Sequence, residues 1–476
     1  MTTPYPDPTG TSSAPVPPPE CPAHAHGTSG PRRVFGPEAE GSPQSLYEKL
    51  RLEHGRVAPI LLPGDVPAWL VLGHRENLEA MRTPTLFTND SRNWNVLKEG
   101  RLSADSPLLP ITTWQPILVF ADGEEHARLR SPITDGLAQF NRHGVRRQAV
   151  RYTHRLIDDF AARGEADLVA DFAEKLPVMV LARLFGIPEE YGIPLGAAVR
   201  DMVQGTPTSL QSNDYIMDTL RRVVKQKQEE PGKDFISSLL SHESALTENE
   251  VCEQLRVTLT SANETTVNLL AYTLRMVLTD PRFRGNLSGG QMTLPDALDQ
   301  VLWNHPPLMV TPNRWAKGDT VLGGQKIRAG DMVMLGLAAG NYDPEIRPDL
   351  NASMHGNRSH LSFGGGPHEC PGTDIGRAIA DTSIDTLLAR LPDMQLAVSE
   401  AELKVTTSWM SSRLDALPVR FPRATADGAP AAPGDGDPRP APAAQPLPAA
   451  APAVPAASAA TAPRRSWWRR LLGGRR

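Results

Sequence analysis

The chain has 476 residues, a formal net charge of −5 at pH 7, 40% hydrophobic residues and 22% charged residues. These values describe a globular protein with a large core. Six arginines lie within the last fourteen residues, so the rest of the chain is more acidic than its total charge indicates. An acidic body argues against nucleic acid as the main partner, because phosphate binding requires a basic face.

The chain contains only three cysteines, Cys21, Cys252 and Cys370, and no C-x-x-C pair. This sparse, odd set predicts no disulfide framework and excludes a four-cysteine metal site within one chain. The first residues have neither a basic start nor an apolar core, and no strongly apolar run is long enough to span a membrane. We therefore expect a cytoplasmic protein that is neither secreted nor membrane-spanning.

Composition divides the chain into four segments. Residues 1–34 are rich in Pro, Ser and Gly and are predicted to be disordered. Residues 35–422 have helical periodicity with short strand-like runs, such as AWLVLG at 68–73, and are predicted to be globular. An Ala/Pro-rich linker at 423–462 then leads to a basic, amphipathic tail at 463–476.

Three predicted helices matter for function. Thr247 and Glu250 form a capping-box pattern before a run that contains no Gly or Pro until Pro281. A second helix is predicted from about Leu294 to the His-Pro-Pro sequence at 305–307. A third is predicted to begin just after Pro371. Its buried face is expected to comprise Ile375, Ala378, Ile379, Ile384, Leu387 and Leu388.

The sequence FGGGPHECPG at 363–372 places Cys370 at the start of the third helix. Backbone N–H groups and the positive end of the helix dipole there favour a thiolate. The three glycines permit a tight loop that can approach a flat ligand closely, and a metal ion is the natural counter-charge. The alternative is an inert, buried cysteine at a helix N-terminus.

This loop resembles the haem-binding loop of cytochromes P450, F-G-x-G-x-H-x-C-x-G. The resemblance implies a mainly α fold with small β-sheets in a single large haem domain, and haem b bound through Cys370 as the iron ligand. The residues that match the pattern are Phe363, Gly364, Gly366, His368, Cys370 and Gly372.

Other segments resemble the same family in the same order, and the resemblance spans about 35–422. HARLR at 126–130 resembles the H-x-x-x-R segment whose His126 and Arg130 would bind haem propionates. Arg314, in TPNRWA, is a third expected propionate partner, and His360 is a fourth. Read without the resemblance, HARLR is typical of a solvated helix face.

The sequence SANETT at 261–266 resembles the oxygen-activation segment A-G-x-[DE]-T-[TS] of the family. Glu264 and Thr265 would then be the acid and the alcohol that deliver protons during O2 activation. Ala262 departs from the usual glycine and would crowd the helix groove beside the iron. The alternative is an ordinary polar face on an amphipathic helix.

The E-x-x-R motif of the family is absent at its expected position. Glu48/Arg51, Glu79/Arg82 and Glu125/Arg128 have the spacing, but each lies far upstream. Gln300 and Trp303 stand at its two positions, and Ala352 stands where a second arginine is usual. Because all three charges are replaced together, we expect a neutral, repacked core in which the Trp303 indole fills the volume and Gln300 bonds to backbone. The pattern resembles that of an actinobacterial subgroup of P450s that lacks E-x-x-R.

The resemblance implies a monooxygenase that inserts one atom of O2 into a small apolar substrate, with 95–118 and 305–311 lining the pocket. No flavin or nicotinamide fingerprint is visible, so ferredoxin and ferredoxin reductase are expected to supply electrons. The alternative is a haem-binding sensor or scaffold in a GTPase-type signalling system with little turnover. The pair Glu264 and Thr265 favours the enzyme.

Two terminal features remain. Trp467, Trp468, Leu471 and Leu472 share one face of a short basic helix that could contact a membrane surface, an acidic partner or the chain's own body. A solvated tail is the alternative, and vesicle co-sedimentation with and without 463–476 separates the membrane interpretation from it. CPAHAH at 21–26 offers three metal-ligand side chains in a segment predicted to be disordered.

Overall fold

The computed structural model describes residues 30–103, 106–204, 208–280, 293–354 and 356–423. The predicted basic tail, almost all of the predicted linker and the Cys/His segment at 21–26 lie outside these residues. Within the described part, no helix is long and apolar enough to cross a membrane.

Most of the described chain is helical. The helices are α1 (Pro37–Gly41), α2 (Pro43–His54), α3 (His74–Arg82), α4 (Asn95–Lys98), α5 (Leu109–Thr112), α6 (Gly123–Ala138), α7 (Arg142–Phe160), α8 (Leu176–Phe185), α9 (Glu189–Gln204), α10 (Ser209–Glu229), α11 (Phe235–Ser241), α12 (Glu248–Thr279), α13 (Leu294–Asn304), α14 (Leu337–Asn341) and α15 (Thr373–Arg390).

The strands are short. They are β1 (Arg32–Arg33), β2 (Val57–Leu62), β3 (Val66–Val71), β4 (Phe87–Thr88), β5 (Glu165–Asp167), β6 (Val310–Thr311), β7 (Trp315–Ala316), β8 (Thr320–Leu322), β9 (Gln325–Ile327), β10 (Val333–Gly336), β11 (Gln395–Leu396), β12 (Val405–Thr407), β13 (Ser412–Leu414) and β14 (Pro418–Arg420). The largest sheet has five strands in the order β1-β2-β3-β10-β6. In this sheet β2 and β3 form an antiparallel hairpin with Val57 opposite Val71, and β10 runs parallel to β3.

The long helix α12 organises the larger of the hydrophobic cores. Its residues Leu255, Leu259 and Leu270 are fully buried, and it packs against α8, α9, α10, α13 and α15. A second core lies between the five-stranded sheet, α2 and the segment that contains Trp94 and Leu108. The mainly α fold with small sheets that the sequence predicts is therefore confirmed.

The three predicted helices are also confirmed. The Thr247 side chain and the Glu250 side chain cap α12 reciprocally, as the capping-box pattern predicts. Helix α13 has Pro295 in its first turn and ends at Asn304, immediately before His305. On α15, Ala378, Ile379, Ile384 and Leu387 are buried, and Ile375 and Leu388 pack at the edge of the core.

The predicted boundary of the N-terminal segment at residue 34 is too late. Arg32 and Arg33 form β1 and pair in parallel with Ile60 and Leu61. The side chains of both arginines form ion pairs, with Glu53 and Asp65 respectively, and Val34 joins the core under the sheet. Pairing with a sheet edge orders these residues despite the Pro- and Gly-rich sequence before them.

Candidate active site

The loop before α15 has a backbone shape that requires glycine. Gly364 and Gly366 adopt left-handed φ angles of 68° and 67°, which side chains with a Cβ rarely accept. A Cβ at Gly366 would also lie 2.5 Å from the Met81 carbonyl oxygen of α3. The Cys370 N–H donates to the Phe363 carbonyl at 2.9 Å and closes the loop. The glycines thus set the position from which Cys370 leaves the loop.

The Cys370 side chain is accessible, yet enough protein surrounds it that burial raises the pKa of its thiol. The sulfur is therefore largely surrounded by protein yet accessible, and the space through which it is accessible is called the cleft. The Gly372 N–H and the Thr373 hydroxyl, at the beginning of α15, oppose this increase in pKa. These donors stabilise negative charge on sulfur, and a bound metal cation would complete the conversion to thiolate.

A group of buried basic side chains lies around this cleft. The rings of His126 and His368 are 4.0 Å apart between centroids, and Arg314 is only 6% exposed. His126 Nε2 and Arg130 Nη1 are buried without a hydrogen-bond partner. Among the described residues, no carboxylate lies within ion-pair distance of Arg130 or Arg314. Asp122 Oδ1 lies 4.0 Å from His368 Nε2.

Burial lowers the pKa of both the arginines and the histidines of this group, but only the histidines lose their charge at neutral pH. Burial lowers the pKa of Arg314 to about 10 and also lowers the pKa of Arg130, but both stay charged at neutral pH. Burial and the neighbouring Arg314 lower the pKa of His368 to about 2, and burial lowers the pKa of His126. The buried Arg314 and the half-buried Arg130 have no acid within ion-pair distance, and this is costly unless a ligand supplies carboxylates. The two propionates of haem fit this arrangement.

The α12 segment contributes an acid and an alcohol that do not bond to each other. The Thr265 hydroxyl donates to the Ser261 carbonyl at 2.6 Å, and the Thr266 hydroxyl donates to the Ala262 carbonyl at 2.7 Å. Thr266 Oγ1 lies 3.9 Å from the position of a Cβ at Gly376. The helix that carries these hydroxyls therefore crosses close to the helix that follows Cys370.

Glu264 lies at the inner end of a series of ion pairs. Arg413, on β13, is 3.7 Å from Glu264 and 2.5 Å from Glu174, and Glu174 also pairs with Arg200 on α9. Burial raises the pKa of Glu264, and Arg413 opposes this increase. The acid is therefore buried but connected by charged side chains to the half-exposed Arg200.

At the positions of the missing E-x-x-R motif, the expected neutral contacts are confirmed. Trp303 is fully buried, and its indole N–H donates to the Asn357 carbonyl at 2.8 Å. Gln300 Oε1 accepts from the Met354 N–H at 2.8 Å. Both side chains of α13 thus bond to the backbone that leads to the cysteine loop.

The expectation that this region holds no charge is wrong. Asp299, one residue before Gln300, is 1% exposed. Its Oδ1 lies 2.6 Å from Arg377 Nη2 of α15, and its Oδ2 lies 3.5 Å from Arg358 Nε. The family motif covers positions 300 and 303 and therefore does not predict this carboxylate. The sequence does contain one indication of it, because an acidic residue directly precedes the position of the missing glutamate.

His360 lies with this second group of charges. Its Nε2 is 4.0 Å from Asp299 Oδ1, and its ring contacts Trp303 and Phe363 with centroids 6.1 and 5.7 Å away. The other expected propionate partners surround His126 and His368. His360 thus contacts Asp299 and Trp303, whereas His126 and His368 contact each other.

The chain resembles several characterised proteins. It is 29% identical to cytochrome P450 CYP107DY1 of Priestia megaterium over 372 residues, which cover 75% of this chain and 90% of the relative. It is 28% identical over 383 residues to the 2-hydroxy-5-methyl-1-naphthoate 7-hydroxylase of Streptomyces carzinostaticus, covering 78% of this chain and 93% of the relative. No protein-family model matches the chain.

Comparison of the fold with solved structures identifies the same group of proteins. The crystal structure of the myxobacterial cytochrome P450 CYP267B1 in complex with myristic acid matches with a TM-score of 0.73 and 26% identity, over 82% of this chain and 98% of that structure. Fold and relatives together define a haem-thiolate monooxygenase. These relatives and structural neighbours are bacterial cytochromes P450, whose standard cofactor is haem b.

Restoring either residue of the E-x-x-R motif should destabilise the packing of α13 against the backbone that leads to Cys370. Gln300→Glu would place a second buried carboxylate beside Asp299, and Trp303→Arg would remove the indole packing and its bond to Asn357. We expect each substitution to lower the free energy of unfolding by about 2–4 kcal/mol and to reduce haem retention. Urea denaturation and haem-to-protein ratios after gel filtration measure both effects. The exposed Gln211→Glu on α10 is the control, and unchanged haem retention in both variants would refute the neutral-repacking hypothesis.

The pH dependence of stability tests the placement of His360. Burial, with Arg377 and Arg358 nearby, lowers the pKa of His360 from 6.5 to about 4. As the pH falls from about 6.5 to about 4, the unfolded chain binds this proton before the folded chain, so stability falls by up to about 3 kcal/mol. His360→Phe should remove this part of the loss, measured by urea denaturation at pH 7 and pH 5. A propionate partner would have a raised pKa, and acid would then stabilise the wild type relative to the variant.

Proposed function

We propose that Cys370 is the thiolate ligand of the haem iron and that His126, Arg130, Arg314 and His368 bind the haem propionates. The supporting observation is the buried Arg314 and the half-buried Arg130 near His126 and His368, for which no described carboxylate lies within ion-pair distance. The two neutral histidines between them can donate hydrogen bonds without adding charge. Glycines at 364, 366 and 372 and the ring of Phe363 shape the loop that presents the sulfur.

When bound, thiolate-ligated haem supplies O2 activation and the insertion of one oxygen atom into a substrate. The protein's part is to bind the substrate, exclude water and provide protons. The Thr265 hydroxyl now donates to the Ser261 carbonyl, and rotation about one bond can turn it toward the cleft. Because burial raises the pKa of Glu264, its carboxylate holds a proton at higher pH than an ordinary glutamate, and Arg413 limits this effect. We assign Thr265 as the proton donor in the cleft and Glu264 as its source.

The substrate is proposed to be a small apolar organic molecule. The segment 95–118 packs against α12, because Gln254 of α12 donates to the Pro116 carbonyl at 3.2 Å and Val257 joins the same apolar cluster as Leu108 and Ile117. An apolar wall beside α12 favours apolar ligands. Among the similar proteins, one is a naphthoate hydroxylase and another is bound to myristic acid.

Electrons are proposed to come from a separate ferredoxin and ferredoxin reductase, as the family resemblance implies. A cytoplasmic location and membrane contact through 463–476 also stay predictions. The relatives are hydroxylases, and nothing in the site favours the alternative of a haem sensor or scaffold.

Replacing the proposed iron ligand tests the assignment directly. Cys370→Ser should abolish the absorption band at about 450 nm of the reduced, carbon-monoxide-bound protein, because that band requires thiolate ligation. Haem content should also fall, and circular dichroism would report whether the variant is folded. Cys252→Ser is the matched control, because Cys252 is buried in α12 away from the loop. Retention of the band in Cys370→Ser, or its loss in Cys252→Ser, would contradict the assignment.

Removing the Thr265 hydroxyl should uncouple electron consumption from product formation. With surrogate ferredoxin and reductase and a panel of fatty acids and steroids, we expect Thr265→Ala to form at least about tenfold less product per electron consumed. Thr279→Ala, at the far end of α12, is the control. Equal coupling in Thr265→Ala and wild type would exclude Thr265 as the proton donor.

A further inference from the structure

Asp299 connects α13 to both sides of the cysteine loop. Arg358 precedes Cys370 in the chain, and Arg377 follows it on α15. The single carboxylate of Asp299 lies 2.6 Å from Arg377 Nη2 and 3.5 Å from Arg358 Nε. One buried acid therefore contacts the chain before and after the residue that we assign as the iron ligand.

The neutral hydrogen bonds of α13 reach only one of these two sides, although its apolar side chains also pack against α15. Trp303 bonds to Asn357, Gln300 bonds to Met354, and the Leu302 carbonyl accepts from the Ser362 hydroxyl at 2.6 Å. All three bonds end on residues that precede Cys370. The contact between Asp299 and Arg377 reaches the helix that follows it, so it does not duplicate the neutral contacts.

The contact is ionic in character. Asp299 is 1% exposed and Arg377 is 9% exposed, so water compensates neither charge well. Neither oxygen of Asp299 has an aligned hydrogen-bond partner in the structure, although Arg377 Nη2 is close. Removing one member of a buried pair leaves the other uncompensated, and this is far more costly than losing an exposed pair. By contrast, the Arg358 side chain is 68% exposed and is the weaker partner.

We propose that Asp299 is a positioning residue for Cys370. Paired with Arg377 and supported by Arg358, it holds the loop and α15 against α13, where the chain lacks the family's acid–arginine motif. This role rests on the proposed bond between Cys370 and the haem iron. Asp299 acts through the two arginines and does not itself touch the cofactor.

The test is Asp299→Asn in the full-length, haem-loaded protein. The amide has nearly the same shape but cannot neutralise Arg377, so the loop should fluctuate more about α13. We expect haem to transfer to excess apomyoglobin at least about tenfold faster. We also expect a smaller share of the carbon-monoxide complex to absorb at about 450 nm, measured well below the unfolding temperature.

Three further variants make the result specific. Asp158→Asn removes the exposed pair between Asp158 and Arg390 at the far end of α15 and should change neither quantity. Asp299→Glu keeps the charge and should recover part of the 450 nm share. Arg358→Ala replaces an exposed side chain, so it should fold and show a smaller effect in the same direction. If Asp299→Asn does not fold, this variant decides the question.

The outcomes separate the two proposals. Absence of the band at about 450 nm in the wild type would refute the Cys370 ligation, and the role of Asp299 with it. A second outcome would overturn only the positioning role. In it the wild type has a normal band, and Asp299→Asn matches the control Asp158→Asn in the rate of haem transfer and in the share that absorbs at about 450 nm. If Asp299→Asn does not fold, the same comparison is made with Arg358→Ala. A lower unfolding temperature with an unchanged band share would also overturn it, since that result describes a purely structural residue.

Discussion

The position of the Cys370 sulfur depends on a loop whose backbone has almost no freedom. Left-handed glycines at 364 and 366, the close approach of Gly366 to the Met81 carbonyl and the bond from the Cys370 N–H to Phe363 define its path. The loop cannot hold itself in place, because its neighbours are short 3₁₀ turns with few internal bonds. Helices α3, α13 and α15 supply the surfaces against which it is fixed. The chemistry at the sulfur is thus a consequence of helix packing.

Buried charge is used in two different ways on the two sides of this loop. Around His126 and His368, the buried Arg314 and the half-buried Arg130 have no described carboxylate within ion-pair distance, so in our proposal a dianionic cofactor compensates their charge. Behind the loop, Asp299 and Arg377 compensate each other within the protein. We propose that the first group binds a ligand, whereas the second, an acid paired with a guanidinium group, maintains structure.

Much of the fold and site could be predicted from the sequence because local patterns determined it. The capping box at Thr247, Pro295 in the first turn of α13 and the glycine pattern before Cys370 all act over a few residues. The sequence could not predict that Asp299 meets Arg377, since that contact joins side chains 78 positions apart. The contacts of His360 with Asp299 and Trp303 could not be predicted for the same reason, because they depend on how α13 packs against the loop. The neutral contacts of Gln300 and Trp303 were predictable because the volume to be filled was known from the resemblance.

The unequal exposure of the ion pairs gives the molecule an uneven response to ionic strength. The pairs between Arg155 and Glu189, and between Arg390 and Asp158, lie in solvent at the outer helices, where dissolved salt weakens them. The pair between Asp299 and Arg377 is sealed from counter-ions. Concentrated salt therefore loosens the periphery of the protein first and leaves the support behind the cysteine largely intact.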